Sequence, residues 1–349
     1  MALTEKLTNI ANAIRAKTDT TDKLTLDEMP GMIEGIETGG GGKYKPRVIN
    51  FQQYKGTELD YEIANLDTSL VTTFYNLFAY CSNITKLDLS GFNTSNVTNM
   101  ENLFMECTKL ENLNVSSFDT SKVTTFASCF RRLSRLKNLD ITNFDTSSAT
   151  TMEAMFYMCN ILKSLDVSGF DTSNVTRMYQ MFYDCRNVPE FNLTNFNTAK
   201  VVNMGYMFRD CYHATVFNLS SFNTALVQDM SYMFSNCLDI TSINLSNFTS
   251  EALLNISNMF YGCSKLESVD LSGMEGLKVT NTYNMFYNCK VLKHIDMRKF
   301  DFSKVTSYNN TFYGIPVDCE IIVKDDTAKA WVLARRADLT NVKTVAELV

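Results

Sequence analysis

The sequence predicts an α/β repeat fold, namely a solenoid with a parallel β-sheet and short helices, joined to an N-terminal helical hairpin. Two observations carry this prediction. Short stretches of alternating apolar and polar residues recur every 26 residues. A phenylalanine recurs with the same period over nine steps without insertion or deletion, at Phe78, Phe104, Phe130, Phe156, Phe182, Phe208, Phe234, Phe260, Phe286 and Phe312. Because one unit cannot bury its apolar face alone, stacked units are expected to share one continuous core.

The first element of each unit is a strand, seen most clearly at residues 86–90. Leu87 and Leu89 alternate there with polar neighbours, which is typical of a short strand with one buried face. The equivalent apolar pairs are Leu113/Val115, Leu139/Ile141, Leu165/Val167, Phe191/Leu193, Ile243/Leu245, Val269/Leu271 and Ile295/Met297. Stacking these strands predicts a parallel sheet along the array.

The second element is predicted to be a helix of about two turns, after a corner that carries Phe92. Thr98 and Glu101 form a capping-box pattern at its start, and Thr150 and Glu153 repeat that pattern. The apolar residues that follow have offsets 0, 3, 4 and 7, which mark one face of a helix: Met100, Leu103, Phe104 and Cys107.

The N-terminal segment lies outside the 26-residue period. Residues 3–17 carry apolar side chains at helical spacing, and a capping box at 25–28 predicts a second helix that runs to Ile36. The apolar stripe of the first helix is Leu3, Leu7, Ile10 and Ile14. We therefore expect residues 1–38 to be a helical attachment or oligomerisation module, and residues 39–46, which begin with four glycines, to be a flexible linker.

The remaining chain divides into the array and its C-terminal cap. Residues 47–315 are predicted to hold the ten phenylalanine-marked repeats with an N-terminal cap, and residues 316–349 to close the other end. The stretch 320–323 is expected to be the last strand. Asp325 stands before a segment with acidic residues first and basic residues last, which suits a helix dipole. Trp331 is expected to seal the core there.

The repeat unit resembles a known family. Its pattern, L-D-L-S-x-F-D-T-S-x-V-T-x-M-x-x-M-F-x-x-C, is similar to the BspA-like leucine-rich repeat of bacterial surface proteins, and the similarity covers roughly residues 60–315. The resemblance implies a leucine-rich-repeat solenoid that serves adhesion and protein recognition, without enzymatic activity.

A second resemblance concerns the N-terminus. Residues 3–37 resemble the N-terminal module of tail-fibre and baseplate-associated proteins in phages of Firmicutes. This implies attachment to phage tail or baseplate proteins through residues 1–38, and such fibres are commonly homotrimers. The first residues, MALTEKLTNIANAIRAKT, show no apolar core of a Sec signal peptide. We therefore expect cytoplasmic synthesis and a final location in a virion, which leaves the cell by lysis.

Several function classes are disfavoured by composition. A net charge of −6 argues against nucleic-acid binding, and the absence of 18 consecutive apolar residues argues against membrane insertion. Only two histidines occur, so we expect no catalytic site, no metal site and no cofactor.

Eight cysteines share one register, three residues after the register phenylalanine: Cys81, Cys107, Cys159, Cys185, Cys211, Cys237, Cys263 and Cys289. Leu133 and Ile315 fill the same slot in other units, so the slot favours an apolar side chain. We expect buried free thiols rather than disulfides, because in-register side chains point the same way.

Carboxylates form a ladder on the strand face, in a register where asparagine alternates with aspartate. We expect turn capping by this ladder, and by a second ladder that begins at Asn93 and Asp119. General acid–base chemistry and calcium binding are the alternatives, and no EF-hand pattern supports the latter.

Candidate binding residues come from the positions that vary between units. On the strand face they are Lys86, Asp88, Asn112, Asn138, Asp140, Asp166, Glu190, His294 and Asp296. After the register phenylalanine they are Tyr157, Tyr183, Arg209, Tyr261 and Tyr287. Arg131 varies in that same position, and Tyr75, Tyr179, Tyr206, Tyr232 and Tyr283 lie before the register phenylalanine. The strand face is the first candidate surface; tyrosine and arginine are typical of interface hot spots, and packing between coils is the alternative reading of the tyrosines.

Together these observations predict a non-enzymatic recognition protein, namely a phage tail fibre or receptor-binding protein that binds a protein or glycan on the host surface through the solenoid. A bacterial cell-surface adhesin of the BspA-like type is one alternative. A carbohydrate-active depolymerase is another, because a fold alone does not exclude a site.

Overall fold

A computed structural model describes residues 33–34, 37–38, 44–45, 48–57, 59, 63, 66–249 and 251–348. The main body is a stack of 26-residue coils whose strands pair in parallel, as the period predicts. The coil strands are β5 (Lys86–Asp88), β6 (Asn112–Asn114), β7 (Glu190–Asn192), β8 (Val216–Asn218), β9 (Ser242–Asn244), β10 (Ser268–Asp270) and β11 (His294–Met297). The partners are residues 26 positions apart, so Lys86 pairs with Asn112 and Leu87 with Leu113.

The strands before the coils differ from the prediction. β1 (Ile33–Glu34) pairs antiparallel with β4 (Val48–Ile49), and β2 (Glu37–Thr38) pairs with β3 (Tyr44–Lys45). The second predicted helix is therefore wrong at Ile33–Glu34, and the predicted linker is wrong at Tyr44–Lys45. Backbone pairing across the glycine run competes with helix at these positions. The rest of the predicted helical hairpin lies outside the described residues.

A second parallel ladder runs along the other side of the coils, and the sequence did not predict it. It consists of single-residue bridges that join each coil to the next without a break, from Thr73–Asn99 to Asn281–Ser307. The buried residue before each bridge, such as Val97, anchors it to the core. This ladder therefore joins the coils in addition to the strand pairs.

The predicted helix of each unit is wrong. Residues 66–249 and 251–315 contain no α-helix; the segment from Met100 to Cys107 consists of consecutive tight turns. Asn102 and Glu106 have φ of 57° and 64°, so the backbone of this unit leaves the helical conformation at two residues. Every second N–H then points to the next coil: Asn102 N donates to Ala127 O at 2.9 Å and Phe104 N to Cys129 O at 2.8 Å.

These turns bury the same side chains that a helix would have buried. Met100, Leu103 and Phe104 are fully inside the core. The predicted capping box does not form either, because the Thr98 hydroxyl donates to Thr72 O of the preceding coil at 3.3 Å. Bonds between coils thus replace the bonds that a helix would make within itself.

The core is a set of ladders. The register phenylalanines stack on one another with ring centroids 5.5–5.9 Å apart, and Phe51 extends this stack onto Phe78 at the N-terminal end. Buried threonines of the D/N-T-S motif form another ladder. The Thr172 hydroxyl donates to Asn197 O at 3.0 Å and accepts from Asn197 N at 2.8 Å, so one side chain satisfies both backbone groups of the next coil.

The C-terminal end closes the sheet. β12 (Glu320–Val323) pairs with β11 as predicted, but β13 (Val342–Thr344) follows it, so β12 is not the last strand. Helix α1 (Asp326–Leu333) lies between them, and the Asp325 carboxylate caps it by accepting from Ala328 N at 2.9 Å. Trp331 is half-buried and stacks on Phe302 with centroids 4.2 Å apart. Short 3₁₀ helices lie at Thr68–Leu70 and Val345–Leu348.

Candidate binding surfaces

The predicted binding residues lie on two different faces, so they do not form one site. The strand face carries the polar residues at both ends of the strands β5 to β11. The turn face, which we define as the outward side chains of residues 99–106 and their equivalents in the other coils, carries the tyrosines and Arg209. Each face is described separately below.

The aspartates of the strand face are turn caps, as predicted. Asp166 accepts from the Ser168 hydroxyl and from Ser168 N at 2.9 Å, and Asp140 makes the same pair of bonds with Thr142. Hydrogen bonds from Ser168 hold the pKa of the Asp166 carboxyl below its usual value. Asp88 accepts from Ser90 N and from the Asn114 amide. These carboxylates stabilise their own loops and are not aimed at a common point.

Two of the strand-face candidates are engaged by neighbouring side chains. Asp296 is only 5% exposed, and Arg298 Nε donates to both of its oxygens at 3.0 and 2.9 Å. Burial alone would raise the pKa of Asp296, but the bonds from Arg298 outweigh it and keep that pKa low. His294 Nδ1 lies 2.9 Å from Glu320 Oε2, and Lys343 Nζ donates to the other oxygen of Glu320. The expectation that Asp296 lies on an open face is therefore wrong.

The remaining strand-face candidates are exposed, and the sheet along which they lie is interrupted. Lys86, Asn112 and Glu190 are exposed within strands. The predicted strands at Asn138–Asp140 and at residues 164–166 do not form, although Leu139 and Leu165 still point into the core. No pairing joins β8 to β9 among the described residues either. Where strand pairing is absent between β6 and β9, the coils are held together mainly by the ladder of single-residue bridges.

The distances between stacked aromatic rings differ from one side of the coils to the other. At the corner beside the strands, Phe118–Phe144, Phe196–Phe222 and Phe222–Phe248 are 6.1–6.4 Å apart. In the central stack the spacing is 5.5–5.9 Å. On the turn face, Tyr157–Tyr183 and Tyr206–Tyr232 are 4.6 and 4.5 Å apart. The ring spacing is therefore shortest on the turn face and longest at the corner beside the strands.

The turn face of this stretch carries a cluster of stacked tyrosines and arginines. Arg131 lies over the Tyr157 ring at 4.2 Å, and Tyr157 stacks on Tyr183. The Arg209 guanidinium contacts three rings, those of Tyr183, Tyr206 and Tyr232, at 4.9–5.6 Å. Tyr179 meets Tyr206 edge-on. We call these seven residues the tyrosine–arginine cluster: Arg131, Tyr157, Tyr179, Tyr183, Tyr206, Arg209 and Tyr232.

Two carboxylates lie near the arginines of this stretch. Asp210 Oδ2 lies 3.4 Å from Arg209 Nε, and Asp184, which is buried, receives two bonds from Arg186 at 2.7 and 2.8 Å. Burial, together with the Asp210 carboxylate, raises the pKa of Tyr183 to about 12. The Tyr183 hydroxyl consequently stays a neutral donor and acceptor near pH 7. Sequence reasoning did not single out Asp184 or Asp210. The signal was present, because Asp184 lies two residues before Arg186 and Asp210 directly follows Arg209.

A second tyrosine column lies further along the same face. Tyr261, Tyr287 and Tyr313 stack at 5.0 and 4.9 Å. Ser235 interrupts the column between Arg209 and Tyr261. The structure therefore brings Tyr157, Tyr183 and Arg209 together, and leaves Tyr261 and Tyr287 in a separate group. The ring faces of these tyrosines pack between coils, as the alternative reading expects, and their side chains remain partly exposed.

The cysteine prediction is confirmed: Cys81, Cys107, Cys129, Cys159, Cys185, Cys211, Cys237, Cys263, Cys289 and Cys319 are buried free thiols. The slot is not purely apolar, because Cys107 Sγ donates to Phe78 O at 3.1 Å and Cys159 Sγ to Phe130 O at 3.0 Å. In the part of the chain that the structure describes, no three of His, Cys, Asp and Glu are grouped as metal ligands would be. No helix among those residues is long and apolar enough to cross a membrane.

Stacked parallel coils with two inter-coil ladders define a parallel β-solenoid repeat protein. The chain belongs to the family described as "Mycoplasma protein of unknown function, DUF285", whose model matches residues 48–139, 128–238 and 212–320. No curated protein matches it.

Solved structures with a similar fold include three bacterial proteins. A leucine-rich repeat protein from Bacteroides ovatus is 17% identical, with a TM-score of 0.42 over 84% of this chain and 79% of that one. A leucine rich cell surface protein from Faecalibacterium prausnitzii is 16% identical, with a TM-score of 0.31 over 90% and 87%. The functional domain of InlJ from Listeria monocytogenes, described as including a cysteine ladder, is 13% identical, with a TM-score of 0.22 over 78% and 72%. Similarity at this level carries no argument about function.

Proposed function

We propose that the protein is a non-enzymatic binding protein of the bacterial adhesion type, which recognises a protein or glycan on a cell surface. The observation that carries this proposal is the tyrosine–arginine cluster on the turn face. Tyrosine and arginine supply most hot-spot residues at protein interfaces. Here they occupy positions that vary between otherwise uniform coils.

The cluster is also arranged in advance of binding. Each ring in it contacts a neighbouring ring, and Arg209 lies among three rings. Side chains that are ordered before binding lose less conformational entropy when the partner arrives. The turn face therefore replaces the strand face as the first candidate surface.

The test is binding of the labelled full-length protein to a panel of bacterial cells. Arg131→Ala with Tyr157→Ala should weaken binding by about tenfold or more, because each truncation removes a central contact. Lys86→Ala with Glu190→Ala is the matched control on the strand face and should leave binding unchanged. The opposite pattern would return the site to the strand face. Release of sugar from a host glycan would show that the protein is an enzyme and would reject the proposal.

A second candidate is a phage tail fibre or receptor-binding protein, favoured by the resemblance of residues 3–37 to virion-attachment modules. In that setting residues 1–38 bind tail or baseplate proteins, three copies assemble, and the solenoid binds the host receptor from a virion. Loss of virion incorporation after deletion of residues 1–42, with cell binding by the solenoid retained, would support it. Incorporation of the truncated protein would reject it.

A further inference from the structure

The turn face changes its chemistry towards the C-terminal end of the solenoid. Each of the six coils between residues 99 and 236 carries at least one charged side chain on this face, namely Glu101, Arg131, Glu153, Arg177, Arg209 and Asp229. In the last three coils the equivalent residues, 255–262, 281–288 and 307–314, include no charged residue. Every exposed or partly exposed residue in these three ranges is tyrosine, asparagine, serine or glycine. We call these exposed residues the tyrosine–asparagine surface.

Two adjoining columns of side chains make this surface continuous. Tyr261, Tyr287 and Tyr313 stack with ring centroids 5.0 and 4.9 Å apart. In the asparagine column beside them, Asn310 Nδ2 donates to Asn284 Oδ1 at 3.1 Å. A backbone bond joins the two columns within a coil, as from Tyr287 N to Asn284 O at 3.1 Å. These side chains are therefore in place before a partner arrives, which lowers the entropic cost of binding.

Tyr313 has an open aromatic face at the end of its column. Tyr287 covers one face of the Tyr313 ring, and no ring or guanidinium of the described residues lies on the other face. Tyr313 is 54% exposed, and Tyr283 in the preceding coil is 39% exposed. The face of an aromatic ring carries partial negative charge, so it attracts C–H bonds, whose hydrogens carry partial positive charge. The C–H bonds on one side of a sugar ring are suited to this contact.

The surface also provides hydrogen-bonding groups without charge. Asn309 and Asn310 are exposed, and amide and tyrosine side chains both donate and accept hydrogen bonds, as sugar hydroxyls do. Arg336 of the C-terminal cap donates to Phe312 O at this end of the solenoid, but its charge is paired with Asp338. A charged ligand would lose hydration here without gaining an opposite charge. The surface therefore favours a neutral ligand that is rich in hydroxyl groups.

We propose that the tyrosine–asparagine surface is a second binding site of the solenoid and that it binds a neutral glycan. Hydroxyl groups of the glycan bond the amide and phenol groups, and one sugar ring packs on the open face of Tyr313. A protein partner would bring apolar and charged side chains, and the exposed residues here provide no aliphatic contact and no opposite charge for them. This goes beyond the proposed function, which rests on the tyrosine–arginine cluster in other coils. Each site is tested by its own variants, so one can fail while the other stands.

The test is binding of the labelled full-length protein to a glycan panel. The neutral members are oligosaccharides of glucose, galactose, mannose and N-acetylglucosamine, and the acidic members contain sialic or glucuronic acid; we expect binding to a neutral member only. In titrations of that member, Tyr313→Ala should weaken binding by about tenfold or more, because it removes the open ring face. Tyr313→Phe keeps the ring and should retain most of the affinity, and Tyr283→Ala should weaken binding as well. Tyr75→Ala is the matched control and should leave binding unchanged, because Tyr75 is 51% exposed on the turn face of the first coil and no ring of the described residues stacks on it.

Three results would overturn the proposal. One is a panel on which no neutral member binds, or on which acidic members bind as well as neutral ones. A second is an equal loss of affinity in Tyr313→Ala and in Tyr75→Ala. A third is cell binding that depends on Tyr313 and is lost when the cells are treated with protease but not with periodate, because the partner would then be a protein. Equal thermal unfolding midpoints in all variants show that the solenoid remains folded, so each outcome reports on binding alone.

Discussion

The buried threonine ladder offers a sharp test of what holds the coils together. Thr172 is fully buried, and its hydroxyl makes two bonds to the backbone of Asn197 in the next coil. Thr172→Val keeps the shape of the side chain and removes the hydroxyl. The variant leaves one N–H and one C=O without their partner, at a point where water has limited access.

The expected loss follows from those two groups. A buried polar group that loses its partner costs about 1–3 kcal/mol, and the bonds here are only partly buried. We therefore expect Thr172→Val to lower the free energy of unfolding by about 2–4 kcal/mol. Thr172→Ser keeps the hydroxyl and loses one methyl group, so it should cost about 1 kcal/mol.

The same coil provides the control. The Thr176 hydroxyl donates to Thr150 O at 3.2 Å, but this residue is exposed and water can replace the bond. Thr176→Val should change stability by less than about 0.5 kcal/mol.

Urea unfolding measures the difference, with circular dichroism reporting on the whole array and Trp331 fluorescence on the C-terminal end. Splitting of these two transitions in Thr172→Val would show that the array no longer unfolds as a unit, which is a further sign of a weakened interface between coils. Equal midpoints for Thr172→Val and Thr176→Val would refute the argument that the ladder holds the coils together.

Three further predictions follow from the same structure. Burial raises the pKa of Cys159 to about 12, so the native protein should show almost no reaction with a thiol reagent at pH 8, and all ten cysteines should react after unfolding. Hydrogen bonds lower the pKa of Asp166 in the folded state, so its contribution to the free energy of unfolding is complete above the unfolded pKa near 3.9 and disappears as pH falls through the lower folded pKa. The urea concentration at the unfolding midpoint should therefore decrease at pH values below about 4. The decrease should be smaller in Asp166→Asn, which keeps the acceptor. Asp325→Ala removes the cap of α1 and should cost about 1 kcal/mol by thermal unfolding, whereas Asp325→Asn should cost less; equal losses would contradict the capping role.

Much of the fold could be predicted because the period constrains it. A fixed 26-residue spacing requires parallel stacking in register, and the pairs Leu87–Leu113 and Val269–Ile295 follow that rule. The helix prediction failed because offsets 0, 3, 4 and 7 also describe consecutive tight turns. Asn102 and Glu106 adopt positive φ and send their N–H groups to the next coil, a choice that hydrophobic spacing does not reveal.

The site was predicted in part, for a different reason. Variation between repeats identified Tyr157, Tyr183 and Arg209, which the structure brings together. It also identified Asp140 and Asp166, which are committed to capping their own loops. Sequence spacing places residues in a register but does not show which side chains meet across registers, so the contacts of Arg209 with the rings of Tyr206 and Tyr232 could not be predicted from it.

The turn face suits recognition because its backbone, rather than its side chains, joins the coils. Phe182 N donates to Met207 O and Asp184 N to Arg209 O, so the coils stay joined whatever side chain stands at position 183 or 209. Methionine, arginine, tyrosine and serine all occur in that register without any change in coil length. On the strand face, by contrast, aspartate and asparagine are required as turn caps, and replacement there disturbs a loop. Binding residues can therefore change on the turn face at little cost in stability, which is why a partner site is expected where the tyrosines and arginines have gathered.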